Sequence, residues 1–130
     1  MSQCESVTET ILLVDDDSFL RQCLSDMLVS EGYKVILVED GLDAVSKYKE
    51  NVDCADLVLM DVVMPNKDGI TAYKEIIEMN PHQRIILMSA YSSTSLGNLD
   101  KINFIQKPVH PSKLLNTIRE VLDSQRDLPL

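Results

Sequence analysis

The stretch LVLMDVVMPNKDG, residues 57–69, decides the fold expected for this chain. Its first four residues are apolar and run directly into Asp61, and a loop of turn-forming residues follows. A short apolar run bounded by turn residues is typical of a strand buried on both faces of a sheet. The carboxylate at its end is either a structural side chain that bonds to the following loop or a functional group, because open α/β sheets place their chemistry at the carboxyl ends of strands.

Apolar runs and helical periodicity alternate along the rest of the chain. Four more runs predict strands at residues 11–14, 34–38, 84–88 and 102–106. Apolar residues at helical spacing follow most of these strands. The first such stripe, which we expect to face the core, comprises Phe19, Leu20, Cys23, Leu24, Met27 and Leu28. Five strands alternating with helices predict an α/β domain, a doubly wound parallel sheet with helices on both faces.

The segment YSSTSLGNLDK, residues 91–101, interrupts this rhythm. It holds four Ser or Thr residues, one Gly and only two Leu, so it supports at most a short or irregular fourth helix. We expect residues 10–124 to form one domain, preceded by a flexible lead-in at residues 1–9 and followed by a fraying tail at residues 125–130.

The composition is acidic, with 21 Asp and Glu against 12 Lys and Arg and a formal net charge of −9. This balance argues against direct nucleic-acid binding and fits a divalent cation or a partner with a basic surface. No apolar run approaches the roughly 20 residues of a membrane helix and no secretory signal is recognised, so we expect a cytoplasmic protein without membrane contact. The three cysteines have no metal-ligand spacing and are expected to be reduced thiols.

Charged and polar residues follow four of the five predicted strands. All strand ends of a parallel sheet meet at one edge, which would bring together Asp15, Asp16, Asp61, Ser89 and Lys107. Three carboxylates in close contact repel one another, and Lys107 supplies only one positive charge. We therefore expect a hard divalent cation at this edge, and Mg²⁺ suits carboxylate and carbonyl oxygens.

These residue types point to phosphoryl transfer. A carboxylate can attack phosphorus and form an acyl phosphate, whose phosphoryl oxygens then need a metal, a lysine and a hydroxyl or amide donor around them. Lys107, Ser89 and nearby backbone amides would provide those donors. His82 precedes a strand at the opposite edge and His110 lies past Pro108, so we interpret both histidines as surface residues.

The motifs ILLVDDDS, LVLMDVVMPNKDG, LMSA and FIQKP, in this order and spacing, resemble the receiver domain of two-component response regulators. The resemblance implies a flavodoxin-like (βα)5 fold with strand order 2-1-3-4-5. It also implies Mg²⁺-dependent transfer of a phosphoryl group from the phosphohistidine of a sensor histidine kinase or a histidine phosphotransfer domain. Such a domain is a switch that assists its own phosphorylation and slow dephosphorylation, not a conventional enzyme.

Carried over residue by residue, the resemblance makes Asp61 the phosphoacceptor. It implies that Mg²⁺ is held by Asp15, Asp16, Asp61 and the backbone carbonyl of Val63. Asp17 is then either a third acidic residue of the site or the cap of the first helix.

The same resemblance assigns a response to phosphorylation. Lys107 would contact the phosphoryl group, with a cis peptide bond before Pro108, and the Ser89 hydroxyl would turn towards it. Phe104 occupies the aromatic switch position that moves inward when Ser89 engages, although a plain core or rim aromatic is the alternative.

Three features depart from the commonest receiver pattern. Phe104 replaces the more usual Tyr, so the switch position carries no hydroxyl. The stretch between Ser89 and Lys107 is about one helical turn shorter than in chemotaxis-type receivers, as in receivers attached to hybrid sensor kinases. Val63 and Tyr91 stand two residues after the phosphoacceptor and the switch hydroxyl, beside the path of the hydrolytic water in the family. An apolar and a bulky side chain there should slow dephosphorylation.

Other functions stay open alongside the phosphoacceptor receiver. An aspartate-nucleophile phosphatase would need a second acid two residues after its nucleophile, where this chain has Val63. A flavin-binding electron carrier would cradle phosphate in a Ser/Thr/Gly loop, where this chain has three consecutive aspartates at residues 15–17. A degenerate receiver would act only as a phosphorylation-independent docking module, but all five chemical positions are filled.

Overall fold

A five-stranded parallel sheet with helices on both faces forms the molecule, as seen in a computed structural model of the chain. The structure describes residues 8–64, 66–90 and 103–124. The strands are β1 (Thr10–Val14), β2 (Lys34–Val38), β3 (Leu57–Asp61), β4 (Ile85–Ser89) and β5 (Asn103–Gln106). The helices in these ranges are α1 (Ser18–Ser30), α2 (Gly41–Glu50), α3 (Gly69–Met79) and α4 (Pro111–Ser124).

The strand order β2-β1-β3-β4-β5 confirms the predicted doubly wound topology. The segment expected to hold a short or irregular fourth helix, residues 91–101, lies outside the described residues, as do residues 1–7 and 125–130. None of the described helices is long and apolar enough to cross a lipid bilayer.

The core divides into two clusters, one on each face of the sheet. Val58 and Met60 of β3 belong to the cluster under α2 and α3, whereas Leu57 and Leu59 belong to the cluster under α1 and α4. All four side chains are fully buried. Successive side chains of a strand point to opposite faces, so a strand covered on both faces needs an unbroken apolar run. The first four residues of the fold-deciding stretch meet that requirement.

The strand register brings the carboxyl ends level with one another. Val14 of β1 pairs with Met60 of β3, so the next residue of each strand path, Asp15 and Asp61, stand side by side. On the other flank, Asp61 pairs with Met88 of β4. The parallel pairing that the apolar runs impose therefore sets the spacing of the acidic residues.

Aspartate N-caps start three of the helices directly after the strand-end turns. The side chains of Asp17, Asp40 and Asp68 each accept a hydrogen bond from a backbone amide in the first turn, those of Leu20, Asp43 and Thr71 at 3.1, 2.8 and 2.8 Å. Such caps satisfy amides that have no partner inside the helix. Asp68 thus caps α3, and the structure supports the capping interpretation of Asp17.

Two residues of the first predicted stripe do not face the core. Phe19 is 77% exposed and Cys23 is also exposed, whereas Leu24 and Leu28 are buried as expected. Helical spacing groups all these residues on one broad face, but the buried part of α1 is narrower than that face. The expectation that Phe19 and Cys23 pack in the core is wrong.

The expectation of three reduced cysteines is also wrong, because Cys54 takes part in a disulfide bond. Cys23 is a free cysteine. Both histidines, His82 and His110, are exposed, which confirms their interpretation as surface residues.

A pair of side-chain hydrogen bonds stabilises the end of the sheet opposite Asp61. The hydroxyl of Tyr48, a fully buried residue of α2, donates a 2.7 Å hydrogen bond to Oε1 of Gln83. Asn80 donates to the same hydroxyl over 3.3 Å. A cavity of about 150 Å³ opens beside Gln83 and Asn80, away from Asp61. Burial strengthens such hydrogen bonds, and a buried donor or acceptor that loses its partner lowers the free energy of unfolding.

Replacing Tyr48 by Phe should lower the free energy of unfolding by about 1 to 2 kcal/mol, because Gln83 and Asn80 lose a buried partner while the ring is kept. Urea unfolding followed by circular dichroism measures the change. Tyr73→Phe is the matched control, because the Tyr73 hydroxyl has no hydrogen bond within the described residues. An equal loss of stability in both variants would contradict the assigned role of the Tyr48 hydroxyl.

Candidate functional site

Three carboxylates meet at the carboxyl edge of the sheet. Oxygen atoms of Asp15, Asp16 and Asp61 all lie within 4.8 Å of one another. Asp15 is fully buried and Asp61 is 6% exposed, whereas Asp16 faces solvent. The predicted convergence of the three strand-end acids is therefore confirmed by the geometry.

Lys107 brings a positive charge into this cluster from the end of β5. Its Nζ lies 2.9 Å from Oδ2 of Asp61 and 3.4 Å from Oδ2 of Asp15. The side chain of Lys107 is itself only 21% exposed. One ammonium thus bridges the two buried carboxylates, and solvent screens these contacts less than contacts on an open surface.

The electrostatics of the site follow from burial and from this bridge. Burial raises the pKa of Asp15 and outweighs the backbone amide of Asp17 and the ammonium of Lys107, which favour the charged carboxylate. Burial alone would lower the pKa of Lys107, but the hydrogen bond to Asp61 and the charges of Asp61 and Asp15 raise it instead. Lys107 therefore stays protonated while Asp15 is held in an environment that disfavours its charge.

Ser89 lies at the end of β4, where it is 1% exposed. Its backbone carbonyl accepts a 2.7 Å hydrogen bond from the amide of Lys107, which joins the carboxyl ends of β4 and β5. The peptide bond between Lys107 and Pro108 is cis, as the resemblance implied. The turn that carries the lysine is thus tied by its backbone to the serine of the neighbouring strand.

Gly69 allows the loop after β3 to fold back onto the strand end. Its amide donates a 2.7 Å hydrogen bond to the carbonyl of Val62, and a Cβ atom at this position would overlap the carbonyl of Asp61. Only glycine leaves room for that approach. The amide of Val63 points back towards Asp61, 3.4 Å from its Oδ1.

Arg21 is a contact of the site that the sequence analysis did not identify. It lies in the first turns of α1, its Nη1 donates a 2.6 Å hydrogen bond to the carbonyl of Asp15, and its Nη2 lies 3.7 Å from Glu39. Its spacing gave a signal, because Arg21 stands four residues after the cap Asp17 and so lies one turn above the acidic residues. Arg21 thus holds the backbone of the β1–α1 turn and pairs with Glu39.

The remaining predicted residues lie in different surroundings. Phe104 of β5 is partly buried and packs against the core cluster under α2 and α3. The side chain of Val63 is 57% exposed. Tyr91 lies outside the described residues. The position of Phe104 fits both a switch residue and a core aromatic, so its role stays a prediction.

The donor set fits a hard divalent cation. Three carboxylates within 4.8 Å offer oxygen ligands of the kind that Mg²⁺ prefers, and one lysine offsets only part of their charge. The burial of Asp15 and Asp61 against the exposure of Asp16 leaves the cluster open to solvent on one side. A cation that keeps several waters can be bound at such an open edge.

In metal-free buffer, Asp15→Asn should raise the thermal midpoint at pH 7 by a few degrees. The folded state raises the pKa of Asp15, so it holds this proton more tightly than the unfolded chain does. Stability is therefore lost as pH rises from the ordinary carboxyl range towards the raised pKa, and the charged group is a cost at neutral pH. Asparagine removes that cost while it can still accept from the Asp17 amide.

Thermal unfolding in the presence of a chelator, from pH 4 to pH 8, measures the difference in thermal midpoint between Asp15→Asn and the wild type. This difference should become smaller towards acidic pH. Asp53→Asn, which removes the same charge from an exposed residue, is the control. A midpoint that falls in Asp15→Asn at neutral pH would contradict the assignment.

Comparisons with known proteins agree with this geometry. Residues 11–119 match the family described as the response regulator receiver domain. The chain is 42% identical over 119 residues to the chemotaxis protein CheY of Bacillus subtilis, an alignment that covers 87% of this chain and 97% of that protein.

Solved structures give the same result. The CheX–CheY–BeF3–Mg²⁺ complex from Borrelia burgdorferi contains a chain that is 34% identical, with a TM-score of 0.82 and coverage of 87% of this chain and 88% of that one. The receiver domain of the sensor histidine kinase PA1611 from Pseudomonas aeruginosa, solved with magnesium in its active-site cleft, has 28% identity and a TM-score of 0.80, covering 89% and 98% of the two chains. Fold, strand-end acidic cluster and family match together show that this chain belongs to the response regulator receiver domains of two-component signalling.

Proposed function

We propose that this receiver domain accepts a phosphoryl group on Asp61 and acts as a phosphorylation-dependent switch. One observation carries the proposal: Asp61 is buried at a strand end, hydrogen-bonded to Lys107 at 2.9 Å, with two more carboxylates within 4.8 Å. An aspartate with a purely structural role caps a helix or forms one ion pair, and two further carboxylates beside it would only add repulsion. The clustered negative charge is useful if a cation and a phosphoryl group are to be bound there.

In the proposed reaction, a carboxylate oxygen of Asp61 attacks the phosphorus of a phosphohistidine on a partner protein. The new O–P bond forms as the N–P bond breaks, and the departing imidazole takes up a proton from solvent. Lys107 lies close enough to move its ammonium from the carboxylate to the oxygens of the transferred group. The chain itself contributes mainly positioning and charge, so it is a switch that assists its own modification.

Asp15, Asp16, Asp61 and the backbone carbonyl of Val63 are the proposed ligands of Mg²⁺. Bound there, the ion would neutralise charge on the carboxylates and on the phosphoryl oxygens. Asp15 is held for this role from both sides, because its Oδ1 accepts from the Asp17 amide at 2.9 Å and its carbonyl accepts from Arg21.

The proposed readout uses Ser89 and Phe104. The serine lies at the end of β4, and its carbonyl accepts from the Lys107 amide, so a movement of either residue is transmitted to the other. Phe104 packs partly against the core, and its proposed response is to move further inward. The proposed donors are a sensor histidine kinase or a histidine phosphotransfer domain.

Acetyl phosphate with Mg²⁺ should add the mass of one phosphoryl group to the wild-type chain and none to Asp61→Asn. Intact-mass spectrometry measures the product directly. Asp68→Asn is the matched control in the same loop, because asparagine keeps the helix cap. Labelling of Asp61→Asn to the wild-type level would contradict the assignment, and an unlabelled wild type would favour a docking module that works without phosphorylation.

Val63→Asn should shorten the lifetime of the phosphorylated state several-fold. Val63 is 57% exposed beside the attacking carboxylate, and a polar side chain there can orient water that valine excludes. Decay of the phosphorylated mass after removal of acetyl phosphate gives the rate. Val52→Asn repeats the substitution at another exposed valine, remote from the site, and should leave the rate unchanged. Equal decay in wild type and Val63→Asn would refute the proposed role of Val63.

A further inference from the structure

The loop between β3 and α3 is pinned to the start of α2 by one side-chain pair. Nδ2 of Asn66 donates a 2.8 Å hydrogen bond to Oδ2 of Asp40. Neither residue belongs to the proposed phosphorylation chemistry. Asn66 nevertheless stands three residues after Val63, in the loop that carries the proposed carbonyl ligand.

Asn66 occupies a backbone conformation that demands a special residue. Its φ is +69°, the left-handed region that most side chains avoid and that asparagine tolerates better than others. The hydrogen bond to Asp40 gives this strained turn a partner outside the loop. Asparagine thus serves both the loop backbone and the contact with α2.

Asp40 is shared between two elements. Its Oδ1 caps α2 by accepting from the Asp43 amide at 2.8 Å, while its Oδ2 accepts from Asn66. These two hydrogen bonds hold the pKa of Asp40 below its usual value. The cap on α2 therefore fixes the orientation in which the Asp40 carboxylate accepts the hydrogen bond from Asn66.

Two further contacts keep the loop against the helices. A Cβ atom on Gly41, the residue after Asp40, would overlap the backbone carbonyl of Lys67, so the loop backbone lies directly on the first turn of α2. The ammonium of Lys67 forms an ion pair with Glu75 of α3. The loop is thus supported from α2 on one side and from α3 on the other.

We propose that Asp40 and Asn66 are a positioning pair that preorganises the β3–α3 loop for cation binding. The inference rests on the proposed function, since it concerns the same Mg²⁺ site. The loop must present the Val63 carbonyl beside the carboxylates, and each bond that fixes it beforehand reduces the ordering cost of binding. Asp40 is not one of the clustered acids, and its own charge, near solvent, is screened, so the pair acts through geometry.

A double-mutant cycle tests the pair. Asn66→Gly keeps access to the left-handed backbone but removes the amide, and Asp40→Ser keeps a helix cap but removes the acceptor for Asn66. Each single variant should weaken Mg²⁺ binding by about fivefold, the worth of one hydrogen bond of about 1 kcal/mol. The double variant should lose little more than either single one, because both remove the same bond.

Conservative variants separate geometry from charge. Asp40→Asn can still cap α2 through its oxygen and donate to Asn66 after the Asn66 amide turns over, so near-wild-type Mg²⁺ affinity is expected. Asp43→Asn removes a neighbouring charge without touching the pair and should also bind normally. Loss of affinity in both Asp→Asn variants would overturn the proposal in favour of simple charge attraction.

Isothermal titration with Mg²⁺ alone provides the dissociation constants, and thermal unfolding in chelator verifies that each variant is folded. Additive losses, or unchanged affinity in both Asn66→Gly and Asp40→Ser, would overturn the positioning role while leaving the phosphoacceptor function intact. A wild-type chain that binds no Mg²⁺ would instead overturn the proposed cation site itself, and the positioning pair with it.

Discussion

The contact of Lys107 with Asp61 and Asp15 is the interaction on which the site depends. Without an ammonium at 2.9 and 3.4 Å, two buried carboxylates would face each other with a third acid in reach. Such a cluster would be protonated or displaced, because burial and like charge both disfavour ionisation. A single lysine offsets part of the charge of the three carboxylates but leaves an excess of negative charge, which favours a cation at this edge.

The sheet supplies the distances that this balance requires. Register between β1 and β3 sets Asp15 beside Asp61, and the backbone bond from Lys107 to Ser89 fixes the lysine against β4. The glycine at position 69 lets the following loop return to the strand end without a clash. Because these contacts come from backbone pairing, the acidic residues need no long side chains to reach one another.

Residues that end apolar strands could be located from the sequence, because topology forces them to one edge. Asp15, Asp16, Asp61 and Lys107 follow this rule, and the structure brings them together. Helical periodicity was less informative, because it shows which side of a helix faces the core but not how many residues on that side are buried. Phe19 belongs to the apolar stripe of α1 yet is 77% exposed.

The contact of the Asn66 side chain with a distant loop was not predictable in this way, because Asn66 reaches a carboxylate 26 positions away in the chain. No periodic pattern encodes such a contact, because it depends on how two loops approach after the sheet has formed. The spacing of Arg21 from Asp17 does place it one turn above the acidic residues, but spacing alone does not show that its guanidinium reaches the Asp15 carbonyl. The proposed roles of Ser89 and Phe104 are harder to predict from sequence, because a switch depends on the difference between two conformations of the same chain.

The cost of burying negative charge in the acidic cluster links cation binding to the stability of the folded state. Burial disfavours charged Asp15, so the free site is less stable than an edge with neutral groups would be. A cation that offsets this charge would stabilise the folded state by mass action. In the proposed reaction, the oxygens of a phosphoryl group on Asp61 would compete for the ammonium of Lys107, whose backbone amide is bonded to the Ser89 carbonyl. In the proposed switch, a change of charge at Asp61 would therefore reach β4 and β5 through Lys107, which contacts Asp61 by its side chain and Ser89 by its backbone.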